Sequence, residues 1–213
     1  MVRNILNQSN IIHKESVERL KILFQFLVTL LFAFISGAIL CGACSDTFHS
    51  SSQIVITKHF NSLFLGAISL QDVFLTIITY SLPYIFSIIT IAVLSFSVFN
   101  YLVSDIVLLI CGIKVGFSIT LLLNNVFLDQ SVQGVSVLSF LMFSMFRILI
   151  LVLVVCFAYR ASLFSRNISF RNNNGRYYLE PLKILSFAVI TAAHIGALVF
   201  INGVYCAIAF VLK

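Results

Sequence analysis

Two cations lie inside apolar stretches of the chain, where charge is costly. Lys114 stands near the middle of one stretch, and Arg147 lies within another. At 1.5 Å per helical residue, Lys114 is roughly 12 Å from either end of its stretch, too deep for its side chain to reach water fully. Arginine keeps its proton in proteins, so Arg147 must be hydrogen-bonded or hydrated. We expect neither cation to face lipid.

The sequence leaves two roles open for this pair. The cations either line a path for an anion or another substrate, or anchor helices by donating to carbonyl groups, and we favour anchoring. None of the seven carboxylates lies centrally in an apolar stretch, which disfavours a proton-coupled pump. Asp105 stands about 180° around the helix from Lys114, so the two cannot pair along one face. Any partner of Lys114 must come from another helix.

Cysteine and histidine offer little further chemistry. Cys41 and Cys44 are one helical turn apart, but a thioredoxin-like site needs a βαβ pattern that this sequence lacks, so a dithiol oxidoreductase is a minor alternative. His194 has no second histidine or carboxylate at ligand spacing, which favours a hydrogen-bonded packing residue over a metal ligand. No nucleotide-binding loop, HExxH or GxSxG motif occurs. We therefore expect no enzyme, no metal and no cofactor.

Small residues recur at the spacing of close helix packing. Gly112 and Gly116 form a GxxxG motif around Lys114. Three further pairs have the same spacing: Ala33 with Gly37, Ala38 with Gly42, and Ala192 with Gly196. We interpret them as internal packing positions rather than as a dimer interface.

The composition identifies the solvent in which these elements fold. Of 213 residues, 61% are hydrophobic and 9% are charged, against roughly a quarter charged in soluble domains. Soluble enzymes and disordered proteins are thereby excluded. The 13 Lys and Arg residues are scattered among apolar runs and form no basic stripe, so we expect no nucleic-acid partner. The partner that the composition predicts is the lipid bilayer.

Hydropathy predicts an all-α integral membrane protein with about five transmembrane helices. A cytoplasmic leader, 1–21, precedes a single multi-span membrane domain, 22–213, and 97–105 is expected to form a short reversal. About 20 apolar residues span a bilayer, and five stretches meet this length: 22–41, 73–96, 106–123, 135–158 and 184–212. The stretch 135–158 is alternatively a re-entrant pair meeting near Arg147.

One outer interfacial amphipathic helix is predicted between the first two spans. Its apolar residues recur at i, i+3, i+4, i+7 and i+8, a spacing typical of a helix lying on the membrane surface. They are Phe60, Leu63, Phe64, Ala67 and Ile68. An unstructured loop with chance spacing is the alternative.

Lys and Arg set the predicted orientation, since translocating them is disfavoured. With five spans, nine of these residues fall on the side of the leader and two on the other side. We therefore expect a multi-pass cell-membrane protein with a cytoplasmic N-terminus and an outer C-terminus. The amphipathic segment then lies outside.

The run Gly112-Ile113-Lys114-Val115-Gly116-Phe117-Ser118 resembles the lysine-glycine-phenylalanine segment of the stage II sporulation protein M family. The order of elements over 20–213 is also similar: a charged leader, one span, an outer amphipathic segment, three spans, a basic connection and a last span. Val115 stands where that family has glycine, and the proline-bearing segment near the fourth span is absent.

The resemblance implies a non-catalytic scaffold that anchors peptidoglycan-degrading partners, extracytoplasmic cell-wall hydrolases, at the septal membrane during engulfment. On this hypothesis the partner surface comprises the 124–134 loop and the outer apolar residues Phe60, Leu63, Phe64 and Ile68. The alternative is a membrane subunit of a small-solute or anion transporter, in which Lys114 and Arg147 line the path.

Overall fold

Five long helices form the part of the chain that the structure, a computed structural model, describes. That part comprises 2–43, 70–97, 99–127, 137–169 and 181–211, with side chains for 16–43, 73–97, 99–124, 140–166 and 181–209. The helices are α1 (Val2–Ala43), α2 (Leu70–Leu94), α3 (Asn100–Phe127), α4 (Val137–Ser169) and α5 (Pro181–Val211). Each is long and apolar enough to cross a membrane. The prediction of an all-α protein with five such helices is confirmed.

Every helix presents large apolar side chains on its outer surface. Leu31 on α1, Phe74 on α2, Ile110 on α3, Met145 on α4 and Phe200 on α5 are all exposed. A soluble monomer rarely exposes a continuous apolar surface of this extent. Lipid is the solvent that matches it, and the architecture is that of a multi-pass membrane protein.

Helices α2 to α5 form a four-helix bundle. α2 packs on α5, α5 on α4, α4 on α3 and α3 on α2. Ile88, Leu108, Val154 and Leu198, one from each helix, are buried in its core. Because lipid tails are as apolar as these side chains, van der Waals packing and interhelical hydrogen bonds must hold the helices together.

Helix α1 lies outside the bundle and runs parallel to α3. Gln25 Nε2 donates to Asp105 Oδ2 at 2.7 Å, and Thr29 Oγ1 donates to Oδ1 at 3.3 Å. One turn further along, a Cβ on Gly112 would come 2.6 Å from Ala33 Cβ. The two sequence-adjacent helices α1 and α2 are therefore not the pair that packs most closely.

The glycines of this contact let two backbones touch. A Cβ on Gly116 would overlap the carbonyl oxygen of Phe34, and one on Gly37 would overlap the carbonyl oxygen of Ile113. Gly112 and Gly116 of α3 therefore face Ala33 and Gly37 of α1. Two of the four small-residue pairs thus pack against each other within one chain. Gly42 and Gly196 have open space at the corresponding position.

The reversal between α2 and α3 is shorter than the sequence indicates. α3 begins at Asn100, so the interpretation of 100–105 as part of a reversal is wrong. Hydrogen bonds satisfy these polar residues: Asn100 Nδ2 donates to Ser162 Oγ of α4 at 3.4 Å, and within α3 Ser104 Oγ donates to Asn100 Oδ1 at 3.3 Å. Buried serine and asparagine thus act as interhelical links.

Other boundaries also differ from the predicted spans. α1 continues through the leader from Val2, and α4 is one uninterrupted helix rather than a re-entrant pair. The stretches 44–69 and 128–136 lie outside the described residues, and with the first of them Phe60, Leu63, Phe64 and Ile68.

Candidate functional site

Arg147 is buried inside the bundle among aromatic side chains. The side chain is 7% exposed, and its Cζ lies 4.1 Å from the ring centroid of Tyr80 and 5.0 Å from that of Phe143. Tyr80 and Tyr84 both lie within electrostatic reach of the guanidinium. The ring contacts hold the cation in place through the negative faces of the rings, and they supply no negative charge to offset its own.

Lys114 lies beside this cation and reaches it from the outer surface of the bundle. Its Nζ is 5.9 Å from the ring centroid of Tyr84, and it is near enough to Arg147 for the two charges to repel each other. The side chain is exposed, contrary to the expectation that it does not face lipid. Packing explains this: Gly112 and Gly116 turn toward α1, and Lys114 stands about 200° around α3 from each of them.

The carboxylates that the structure describes do not offset these two charges. The acidic residues whose side chains are described are Glu18 and Asp105. Glu18 pairs with Arg166, and Asp105 accepts from Gln25 and Thr29 of α1. Within the described ranges, no ion pair reaches Lys114 or Arg147.

Two polar atoms near Arg147 are buried without a hydrogen-bond partner in the described part of the chain. They are the hydroxyl of Tyr205 on α5 and Oγ of Ser144 on α4. Tyr205 is 3% exposed and packs its ring 5.4 Å from that of Phe146 and 6.3 Å from that of Phe143, the ring that Arg147 also contacts. Buried polar groups in native proteins almost always have a partner, so each of these hydroxyls is an unsatisfied hydrogen-bond donor in the described part of the chain.

We use "the cation site" for the cluster around the protein's own two cations, which consists of Lys114 and Arg147 together with Tyr80, Tyr84, Ser144 and Tyr205. Arg147 lies about 10 Å along α4 from Phe140, and Lys114 lies about 15 Å along α3 from Asn124, at 1.5 Å per residue. Both distances are measured to the end of the bundle at which α2 and α4 begin and α3 and α5 end. The site is therefore within the apolar layer, closer to that end.

Chemically, the cation site can hold an oxyanion. Two positive charges attract negative charge more strongly inside a low-dielectric layer than in water. Arginine supplies several N–H donors in a plane, and tyrosine and serine supply O–H donors. Carboxylate and phosphate oxygens match this set of donors.

Sequence reasoning found the two cations and missed the groups around them. Tyr80, Tyr84 and Tyr205 are unremarkable as sequence, since aromatic residues are common in membrane helices. The spacing of Tyr80 and Tyr84 by four is a usable signal, because residues i and i+4 share one helix face. Nothing in the sequence indicates that α5 contributes Tyr205 to the same site.

The other predicted residues lie away from this site. His194 packs against Phe157 with ring centroids 5.1 Å apart, and its Nδ1–H donates to the carbonyl oxygen of Ile190 at 2.8 Å. Cys41 is buried near the end of α1, and Cys44 lies outside the described residues. No group of three metal-ligating side chains occurs within the described ranges.

Removing the Tyr205 hydroxyl should not destabilise the ligand-free protein. Tyr205→Phe keeps the ring contacts and deletes a buried hydroxyl that has no partner among the described residues, so we expect an unchanged or slightly higher melting temperature. The measurement is thermal unfolding followed by circular dichroism in a neutral detergent.

Ser81→Ala is the matched control for Tyr205→Phe. Ser81 Oγ accepts from Asn202 Nδ2 at 2.9 Å, and both residues are buried. Its loss leaves Asn202 with an unmet donor and should cost about 1–3 kcal/mol. A Tyr205→Phe variant as destabilised as Ser81→Ala would mean that the Tyr205 hydroxyl already has a partner.

Comparison of the chain with models of protein families, with curated proteins and with solved structures gives no match.

Proposed function

We propose that this protein binds an oxyanion inside the membrane at the cation site, as the membrane subunit of a small-solute or anion transporter. The supporting observation is the convergence of Lys114 and Arg147, from different helices, on the rings of two tyrosines one turn apart on α2, Tyr84 and Tyr80. The function is binding and passage of a ligand rather than catalysis.

Electrostatics favour this function over anchoring alone. An anchor for neighbouring helices needs one cation with carbonyl or carboxylate partners, and a second cation beside it only adds repulsion. An anion placed between the two cations converts that repulsion into two attractions. Arg147 carries a buried positive charge that has no acidic partner in the described part of the chain. A bound anion would stabilise that charge.

Orientation is part of the proposal. With the N-terminus cytoplasmic, the basic end of α4, which carries Arg160 and Arg166, lies inside. The cation site then lies nearer the outer face of the cell membrane. Labelling of a single cysteine introduced near Val2 or near Val211, with a membrane-impermeant maleimide on intact cells, tests this assignment.

The binding function is tested by ligand-dependent stability. A ligand that binds only the folded state at 100 times its Kd adds about 2.7 kcal/mol to the unfolding free energy. We expect oxyanions, presented as soluble salts or as amphiphiles, to raise the melting temperature of the detergent-solubilised protein. Sodium chloride at equal ionic strength is the control, and an equal rise with chloride would contradict a specific oxyanion site.

A second candidate function follows from the amphipathic spacing of Phe60, Leu63, Phe64 and Ile68. On the predicted orientation this apolar face lies outside the cell, where it would recruit extracytoplasmic cell-wall hydrolases to a sporulation scaffold. This role does not compete physically with the cation site, because the two involve different segments.

Partner recruitment provides the test of the scaffold. Replacing Phe60 and Phe64 together with Asp should abolish co-purification of cell-wall hydrolases from native cells in stationary phase. Leu31→Asn, on the exposed face of α1, is a control for general damage to the apolar surface. Unchanged co-purification of cell-wall hydrolases with the Phe60 and Phe64 double variant would contradict the scaffold hypothesis.

A further inference from the structure

Resting on the proposed oxyanion site, we propose that its ligand is an amphiphilic anion that enters sideways from the bilayer between α2 and α3. The chemical class is a phosphate or carboxylate headgroup carrying at least one acyl chain. The headgroup first contacts Lys114 and then binds at Arg147 and the tyrosine hydroxyls.

The position of Lys114 carries the first step of this inference. Lys114 is exposed, and Ile106 and Ile110, on the same side of α3, are exposed apolar residues, with Ile110 at 62%. This side of α3 faces lipid, because α1 covers the opposite side at Gly112 and Gly116. A lysine at this depth is costly unless its ammonium reaches water or meets an anion in the same layer.

The neighbouring helix α2 also presents side chains to lipid. Ile78, Leu82 and Phe86 recur every four residues on its outer side and are exposed. A water-soluble anion would have to cross hydrocarbon to reach a lysine with these surroundings. An amphiphile is already dissolved there, with its acyl chain matched to the outer surfaces of both helices.

From Lys114 a set of aromatic and polar side chains leads inward. The Lys114 ammonium lies over the ring of the buried Tyr84, and the Arg147 guanidinium lies over the ring of Tyr80. The hydroxyls of Tyr205 and Ser144, which have no hydrogen-bond partner among the described residues, complete the set. Hydroxyl donors of this kind suit the several oxygens of a phosphate or carboxylate better than a halide ion.

The experiment compares headgroups with and without a chain. The purified full-length protein, in a neutral maltoside detergent, is titrated with dioleoyl phosphatidic acid and with inorganic phosphate, and in parallel with oleate and with acetate. Dioleoyl phosphatidylcholine controls for the chains alone. The melting temperature is read by circular dichroism, together with that of the Lys114→Met and Arg147→Met variants.

We expect the amphiphilic anions to raise the melting temperature by about 5–10 °C near 100 times their Kd, and the soluble counterparts and phosphatidylcholine to leave it unchanged. Lys114→Met should reduce the rise, and Lys21→Met, an exposed lysine on α1, should not. If either variant does not fold, direct binding of the same four anions to the unmodified protein gives the same comparison.

Three other results overturn the proposal at different levels. Equal stabilisation by phosphate and phosphatidic acid, or by acetate and oleate, keeps the oxyanion site and removes lateral entry. Equal stabilisation by phosphatidylcholine assigns the effect to the chains and removes the headgroup from the proposal. A rise that persists unchanged in Arg147→Met removes the cation site as its cause and takes the proposed function with it.

Discussion

Replacing Gly116 with alanine is expected to lower the melting temperature markedly, because α1 must move away from α3. A single methyl group at this position overlaps the carbonyl oxygen of Phe34, and backbone cannot rotate aside as a side chain can. Overpacking of this kind typically costs about 1–3 kcal/mol and sometimes more. Thermal unfolding in detergent, followed by circular dichroism, measures the loss.

Gly196→Ala gives the matched control, since nothing lies within 4 Å of a Cβ at that position. Alanine is preferred to glycine in a helix interior by up to about 1 kcal/mol. The same substitution should therefore stabilise α5 slightly and destabilise the contact between α1 and α3. Shifts of the same sign in both variants would show that the close approach of α1 to α3 does not contribute to stability.

Gly112→Ala is expected to fall between these two variants. Its Cβ would come 2.6 Å from the Cβ of Ala33, which is a side-chain atom of a small residue. A slight shift of α1 relieves this overlap more readily than the overlap with the backbone at Phe34. The order of destabilisation expected is thus Gly116→Ala, then Gly112→Ala, then Gly196→Ala.

Arg147→Met is expected to reduce oxyanion-dependent stabilisation sharply. The substitution removes the buried charge and its planar donors while keeping a long apolar side chain among Tyr80 and Phe143. Hydrogen bonds to charged groups contribute about 1.5–3 kcal/mol each, so loss of one such bond to the ligand weakens binding by roughly 10- to 100-fold. Titration of the variant with phosphatidic acid and oleate measures this change.

Arg160→Met, on the exposed side of the same helix, controls for loss of a positive charge from α4. Arg147→Lys keeps the charge without the planar arrangement of donors, so we expect partial binding. An anchoring role makes a different prediction: Arg147→Met would destabilise the protein equally with and without anion. Full anion-dependent stabilisation in Arg147→Met would contradict the oxyanion site.

The two predictions address different parts of the molecule. The Gly116 variant changes only the attachment of α1, and the Arg147 variant changes only the interior of the bundle. Since the sites have no residue in common, their effects on stability should add to within about 0.5 kcal/mol. A strong coupling between them would mean that the position of α1 controls access to the cation site.

From the sequence alone follows a helical chain with about five stretches long and apolar enough to cross a membrane. This property is local: each apolar stretch must satisfy its own backbone hydrogen bonds in lipid, and a helix does so with residues four apart. The sequence also identified Lys114 and Arg147 as costly, and it excluded Asp105 as a partner of Lys114 along one helix face. Angles along a single helix require no knowledge of the other helices.

The tertiary structure alone decided which helices meet. Small-residue spacing occurs at four places, but only contact geometry pairs Gly112 and Gly116 with Ala33 and Gly37. It placed Asp105 against Gln25 and Thr29, which helical periodicity cannot predict from positions about 80 residues apart. It also brought Tyr205 of α5 toward Arg147 of α4. In lipid, hydropathy does not distinguish a side chain that faces the bilayer from one that faces another helix, so packing and polar contacts determine which side chains converge.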